Sequence, residues 1–131
     1  MFIGKLHISS TKNTPEIILN PEGIIIIKGR WMQEYFTEFS QPAVRWLDKY
    51  INEPAEITRV DFYLEYFDRF NTAVLISLLN KILCVNLKQK KLIINWYIED
   101  GDEDILDQGV YISTVLGIPF NFILIPDLIK V

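Results

Sequence analysis

The chain reads as an α/β protein built on a single mixed β-sheet. An antiparallel N-terminal hairpin precedes parallel strands, and the helices lie mainly on one face. Three observations predict this. A polar turn, Asn20-Pro21-Glu22-Gly23, joins residues 17–19 to the run GIIIIKG, as a hairpin requires. Two later stretches, ITRVDFYLEYF and KLIINWYIE, alternate with the period of strands. Apolar segments at helical spacing separate them, and repeated strand–helix–strand units place their strands parallel through right-handed crossovers.

Taken in order, residues 5–9 alternate weakly, as a short edge strand or an ordered arm. STKNTPEI is a turn, bent at Pro15. Four consecutive isoleucines, 24–27, predict a strand covered on both faces or nearly so. In the next segment Phe36, Phe39, Ala43, Trp46, Leu47, Tyr50 and Ile51 recur at helical spacing. Pro42 is disruptive inside a helix and welcome in a first turn, so the helix is expected over residues 41–52 with Ser40 as N-cap. In the following strand Val60, Phe62, Leu64 and Tyr66 share the core face, while Arg59, Asp61, Tyr63 and Glu65 share a wetter one.

The loop Asp68-Arg69-Phe70-Asn71 then delivers the chain onto one long apolar helix, TAVLISLLNKILCVNLK. Val74, Leu75, Leu78, Leu79, Ile82 and Val85 form its inward stripe; Ile76, Leu83 and Leu87 widen that stripe beyond what one sheet face needs. Neighbouring helices or a protein partner must cover the excess. After KLIINWYIE, acids precede another helical pattern, which Asp100 with Glu103, or Asp102 alone, can cap. Gly117 ends that helix and FNFILI supplies the last strand. No repeat or second domain interrupts residues 1–131.

Composition narrows the function. A net charge of −4, from 17 acidic and 13 basic residues, argues against nucleic acid. The single cysteine, Cys84, suits a reducing compartment and sits in an apolar helix as a packing thiol. The N-terminus lacks the pattern of a signal peptide, and the apolar tract 72–85 is too short and broken to span a bilayer. A cytoplasmic location without membrane attachment is expected. The one histidine, His7, has no ligand set around it, and the glycines form neither a P-loop nor a dinucleotide fingerprint. EDGDEDILDQG lacks the acid spacing of a calcium loop. These features give no catalytic residue, no metal and no cofactor. A wet sheet face carrying Arg59, Tyr63, Asn95 and Tyr97 leaves a small-ligand-binding or enzymatic domain as an alternative.

Several stretches carry a resemblance: TKNTPEI, GIIIIKGR, FSQPAVRWLDKY, FYLEYF, INWYIEDGDEDIL and LGIPFNFI. In order and over nearly the whole chain, they resemble the SiaC family of bacterial regulatory phosphoproteins, related in fold to STAS-type anti-sigma-factor antagonists. The resemblance implies a STAS-like fold and a non-catalytic, cytoplasmic, protein-binding module of a partner-switch system. Its implied partners are a serine/threonine kinase, a phosphatase and an output enzyme such as a diguanylate cyclase. After the Tyr-Phe that ends the strand, the family reads Asn-Thr-Ser-Ser, with the threonine as phosphoacceptor. Here Arg69 occupies the acceptor position, and arginine neither accepts nor mimics phosphate. The family's Pro-Glu-Asn is replaced by Gln33-Glu34-Tyr35.

Three readings follow. Thr72 can be a displaced acceptor or a first-turn residue. The module can dock constitutively, through Asp68, Arg69, Phe70, Asn71, Glu34 and Tyr35. Or Arg69 can receive an anionic group from a partner. Constitutive docking through the 68–72 loop and the helix after it is the leading expectation.

Overall fold

Six strands are laid down in sequence order: β1 (Leu6–Ile8), β2 (Glu16–Asn20), β3 (Ile24–Trp31), β4 (Ile57–Phe67), β5 (Lys91–Glu99) and β6 (Asn121–Ile125). The computed structural model describes residues 3–32 and 36–128, without the side chains of residues 36–39. Glu34 and Tyr35, expected at the docking surface, lie outside the described residues. The β1–β2 and β2–β3 pairs are antiparallel and the remaining three are parallel, which gives the mixed sheet that the sequence predicts.

Helices α1 (Phe36–Tyr50), α2 (Thr72–Ile82), α3 (Cys84–Leu87) and α4 (Glu103–Leu116) fill the connections. Because strands are added in one direction through right-handed crossovers, α1, α2 and α4 fall on the same face. They close a core around Ile25, Ile27, Val60, Phe62, Leu64, Ile94 and Trp96. The β5–α4 packing is tight at one point. A Cβ on Gly109 would stand 2.5 Å from the Trp96 indole nitrogen, which donates to the Ile105 carbonyl at 2.9 Å.

Three expectations need correction. Helix α1 begins at Phe36 and ends at Tyr50, so Ser40 and Pro42 lie inside it and Ser40 is not its cap. An interior proline costs about 3 kcal/mol. Burial of Trp46, Leu47 and Tyr50, at about 1.5–3 kcal/mol for each large side chain, outweighs it. The isoleucine strand is covered nearly on both faces, as expected: Ile25 and Ile27 are buried while Ile24 and Ile26 are half-buried.

In β4 the alternation flips near its end. Gly29 pairs with Leu64 but Arg30 with Tyr66, leaving Glu65 as the extra residue of a bulge. Gly29 sits at φ 120°, a conformation that side chains rarely adopt. Tyr66 is therefore turned outward and Phe67 inward, against Trp31. Finally, the long apolar helix breaks at Leu83 into α2 and α3, which leaves Leu87 exposed instead of widening the buried stripe. By length and apolarity Arg69–Leu87 could cross a membrane. Instead it breaks, packs on the sheet and lies between α1 and α4. Neighbouring helices thus cover part of the excess apolar surface.

Candidate functional site: the turn between β4 and α2

Where β4 ends, the Asp68 N–H still bonds the Trp31 carbonyl at 2.9 Å, so the chain leaves the sheet at a fixed point. Asp68 remains extended and caps a single 3-10 turn, Arg69–Asn71. Its carboxylate accepts the Phe70 N–H at 3.0 Å and its carbonyl accepts the Asn71 N–H at 2.9 Å. Asn71 points inward and is 5% exposed. Its amide donates to the Met32 carbonyl at 3.0 Å and the Trp31 carbonyl at 3.4 Å, tying the turn to the end of β3. Asn71 therefore turns its side chain into the fold and holds the turn. A short polar residue at the end of a strand is a common surface feature, and the sequence alone gave no sign of this inward bond.

The same pinning pushes Phe70 outward, where its ring is 75% exposed. Arg69 also projects, and its guanidinium meets the Asp104 carboxylate of α4 at 2.6 Å. The anion for Arg69 thus comes from within the chain. Asp104 in turn accepts from the Gln108 amide at 2.8 Å, and that amide also donates to the Phe67 carbonyl at 3.1 Å. One polar chain, Arg69–Asp104–Gln108, joins the turn, α4 and the end of β4.

Thr72 opens α2, with its N–H spent on the Arg69 carbonyl. It is half-buried beside a cleft of about 430 Å³ between the start of α2 and α4, whose walls include Phe70, Ile76, Gln108 and Tyr111. The N-cap position, Asn71, makes no side-chain cap bond, and the first turn of α2 carries no acid. A second cleft of about 450 Å³ runs between α1 and α2 along Val44, Val74 and Leu78. Lys81 and Asp48 pair across the α1–α2 gap at 2.7 Å. Ile76 and Val74 thus serve two surface grooves on either side of α2.

Asp104, Gln108 and Tyr111 were not singled out by sequence. The signal available was their spacing of four and then three residues along one helical pattern, which aligns them on a common stripe. Nothing local ties that stripe to a turn more than thirty residues earlier.

The open sheet face is closed by its own side chains. Tyr63 stacks on Tyr97 with ring centroids 4.2 Å apart. Asp61, 2% exposed, accepts from Arg59 at 3.0 Å and from Asn95 at 2.8 Å, and Asn121 extends the chain to Asn95 at 3.0 Å. Burial raises the Tyr63 pKa, with Tyr97 and the Asp61 charge acting the same way and Arg59 opposing. Arg59, Tyr63, Asn95 and Tyr97 thus each contact neighbours within the sheet. Among the described residues no group of three or more His, Cys, Asp and Glu is placed to hold a metal ion.

Three comparisons bear on this geometry. The model of the SiaC family regulatory phosphoproteins matches residues 8–125. No curated protein sequence matches significantly. Among solved structures, apo-SiaC from Pseudomonas aeruginosa aligns with TM-score 0.77 at 15% identity, over 93% of this chain and 98% of that one. A chain from the structure of diguanylate cyclase SiaD with its activator SiaC, also from Pseudomonas aeruginosa, aligns with TM-score 0.81 at 16% identity, over 92% and 99%. At such identities the structural likeness speaks for the fold.

Proposed function

The chain belongs to the SiaC family of regulatory phosphoproteins, and from that premise we propose that it is a non-catalytic regulator that docks on a protein partner. The partner is an output enzyme of the diguanylate cyclase class, and the encounter takes place in the cytoplasm. Docking uses the 68–72 turn and the exposed side of α2. One observation carries this reading: a phenyl ring, Phe70, is held 75% exposed by a turn whose other residues are pinned. A rigidly presented aromatic ring loses little entropy on contact, which is the property of an interface anchor. The activator role named for SiaC in the SiaD complex supports the choice of partner class.

Arg69 stands at the family's acceptor position and is engaged by Asp104, so docking here does not depend on a phosphate cycle at that residue. A pull-down with the diguanylate cyclase of the same organism tests the site. The variant Phe70→Ala should weaken recovery at least about ten-fold. Equal recovery of the cyclase by variant and wild type removes the turn from the interface.

A second reading is favoured by Thr72, whose hydroxyl makes no hydrogen bond among the described residues and stands beside the cleft at a helix start. A phosphate there would add about −1.5 to −2 charges near the positive end of α2. Intact-mass analysis of the protein from its own cells, with fragment mapping, decides between the two. Phosphate on Thr72 replaces constitutive docking with a switch.

A further inference from the structure

Gln108 is 4% exposed, and its amide is oriented without ambiguity. Both of its hydrogen bonds go to oxygens that can only accept, the Phe67 carbonyl and an Asp104 carboxylate oxygen, so the donor end is the nitrogen. The other end, Oε1, is a buried acceptor with no donor among the described residues. Such an orphan costs as much as a lost hydrogen bond, and native interiors rarely keep one without a use.

Gln108 lines the cleft between the start of α2 and α4, together with Phe70, Ile76 and Tyr111. Near Gln108, the beginning of α4 carries Glu103, Asp104 and Asp107, all exposed. A donor that also brings positive charge therefore fits. Asp104 already binds a guanidinium, that of Arg69, through a pair whose side chains are 73% and 52% exposed. A pair so exposed is weak and readily exchanged.

We propose that this cleft receives an arginine side chain of the protein partner, with Arg69 as the occupant it displaces from Asp104. The incoming guanidinium, planar and rich in N–H donors, binds Asp104 and donates to Gln108 Oε1, with Phe70 and Tyr111 against its faces. Oε1 is closed to solvent in the resting arrangement, so an incoming donor has to uncover it. Arg69 holds the carboxylate that the incoming group needs, so its release is part of the exchange. The inference rests on the docking reading above and names the chemistry of what docks.

The test needs no partner. The full ¹⁵N-labelled chain is titrated with N-acetyl-arginine methylamide, with the citrulline and lysine counterparts at matched ionic strength. Saturable shifts are expected at the Gln108 side-chain amide and along residues 69–73 and 104–111. Arg69→Gln should tighten binding about three- to five-fold by freeing Asp104, and Asp104→Asn should weaken it by at least as much. Both residues are exposed, and unchanged spectra far from the cleft verify that the variants fold.

Non-saturating shifts, equal response to citrulline or lysine, or indifference to both substitutions each overturn the proposal. If the arginine compound fails while the cyclase still docks through the turn, the pocket is wrong and the docking reading stands. If the compound binds while the turn variant recovers the cyclase undiminished, the docking reading fails and the pocket remains.

Discussion

Two strand-to-helix corners sit at the same end of the sheet, where parallel β4 and β5 finish, and they are built differently. At the β5–α4 corner, the Asp102 carboxylate accepts the Ile105 N–H at 3.1 Å, and Glu103 and Asp104 place negative charge in the first turn. The helix start is satisfied by its own residues. At the β4–α2 corner, Asp68 caps only the 3-10 turn, Asn71 spends its side chain on β3 carbonyls, and no acid follows in the first turn of α2. The first corner is built to hold a helix down. The second is anchored at its base while its top, with Phe70, Thr72 and the cleft beside them, remains available for contact.

The largest effect should come from breaking the anchor of the contact corner. Asn71→Ala removes a buried amide and leaves the half-buried Met32 carbonyl without its donor, at a cost of about 1–3 kcal/mol in urea unfolding. The loss should also speed amide exchange at Phe70, which wild-type Asp68 protects. A neutral outcome means that the turn is held by backbone bonds alone. Asp102→Ala strips the cap from the stable corner and should cost about 0.5–2 kcal/mol. It should leave cyclase recovery unchanged, since it acts on stability and not on the docking turn. If Asp102→Ala weakens recovery as strongly as the Phe70 substitution, the two corners are not functionally distinct.

The same contrast marks how far the sequence could be read. Strand order, the hairpin and the Asp102 cap rest on local period and local chemistry, and residues such as Val60, Phe62 and Leu64 display them directly. The bulge at Glu65 does not, because it depends on the backbone of Gly29 in the neighbouring strand. Pro42 pointed to a helix start, yet the helix begins before it and buries Trp46, Leu47 and Tyr50 beyond it; tertiary packing overrode a local signal. At the site, Arg69, Phe70 and Thr72 were legible from their place after a strand. Asp104 and Gln108 were not, because helix α4 reaches the turn only after two crossovers fold back on the sheet. Asn71 was legible as a loop residue but not as an inward one, since its partners lie 39 and 40 positions earlier.

The smallest predicted effect gives the contact corner what the stable corner already has. Ala73 is exposed in the first turn of α2, where no acid stands. Ala73→Asp puts a carboxylate near the positive end of α2 and should raise stability by about 0.3–1 kcal/mol at low salt, with the gain shrinking as salt screens it. The same substitution removes a small apolar residue from the walls of both clefts flanking α2. Cyclase recovery should therefore fall while the unfolding midpoint rises. That opposition in sign separates a corner left uncapped for contact from one that is merely less well finished. If stability rises and recovery is unaffected, the uncapped start of α2 has no part in docking, and the comparison reduces to a difference in helix stability.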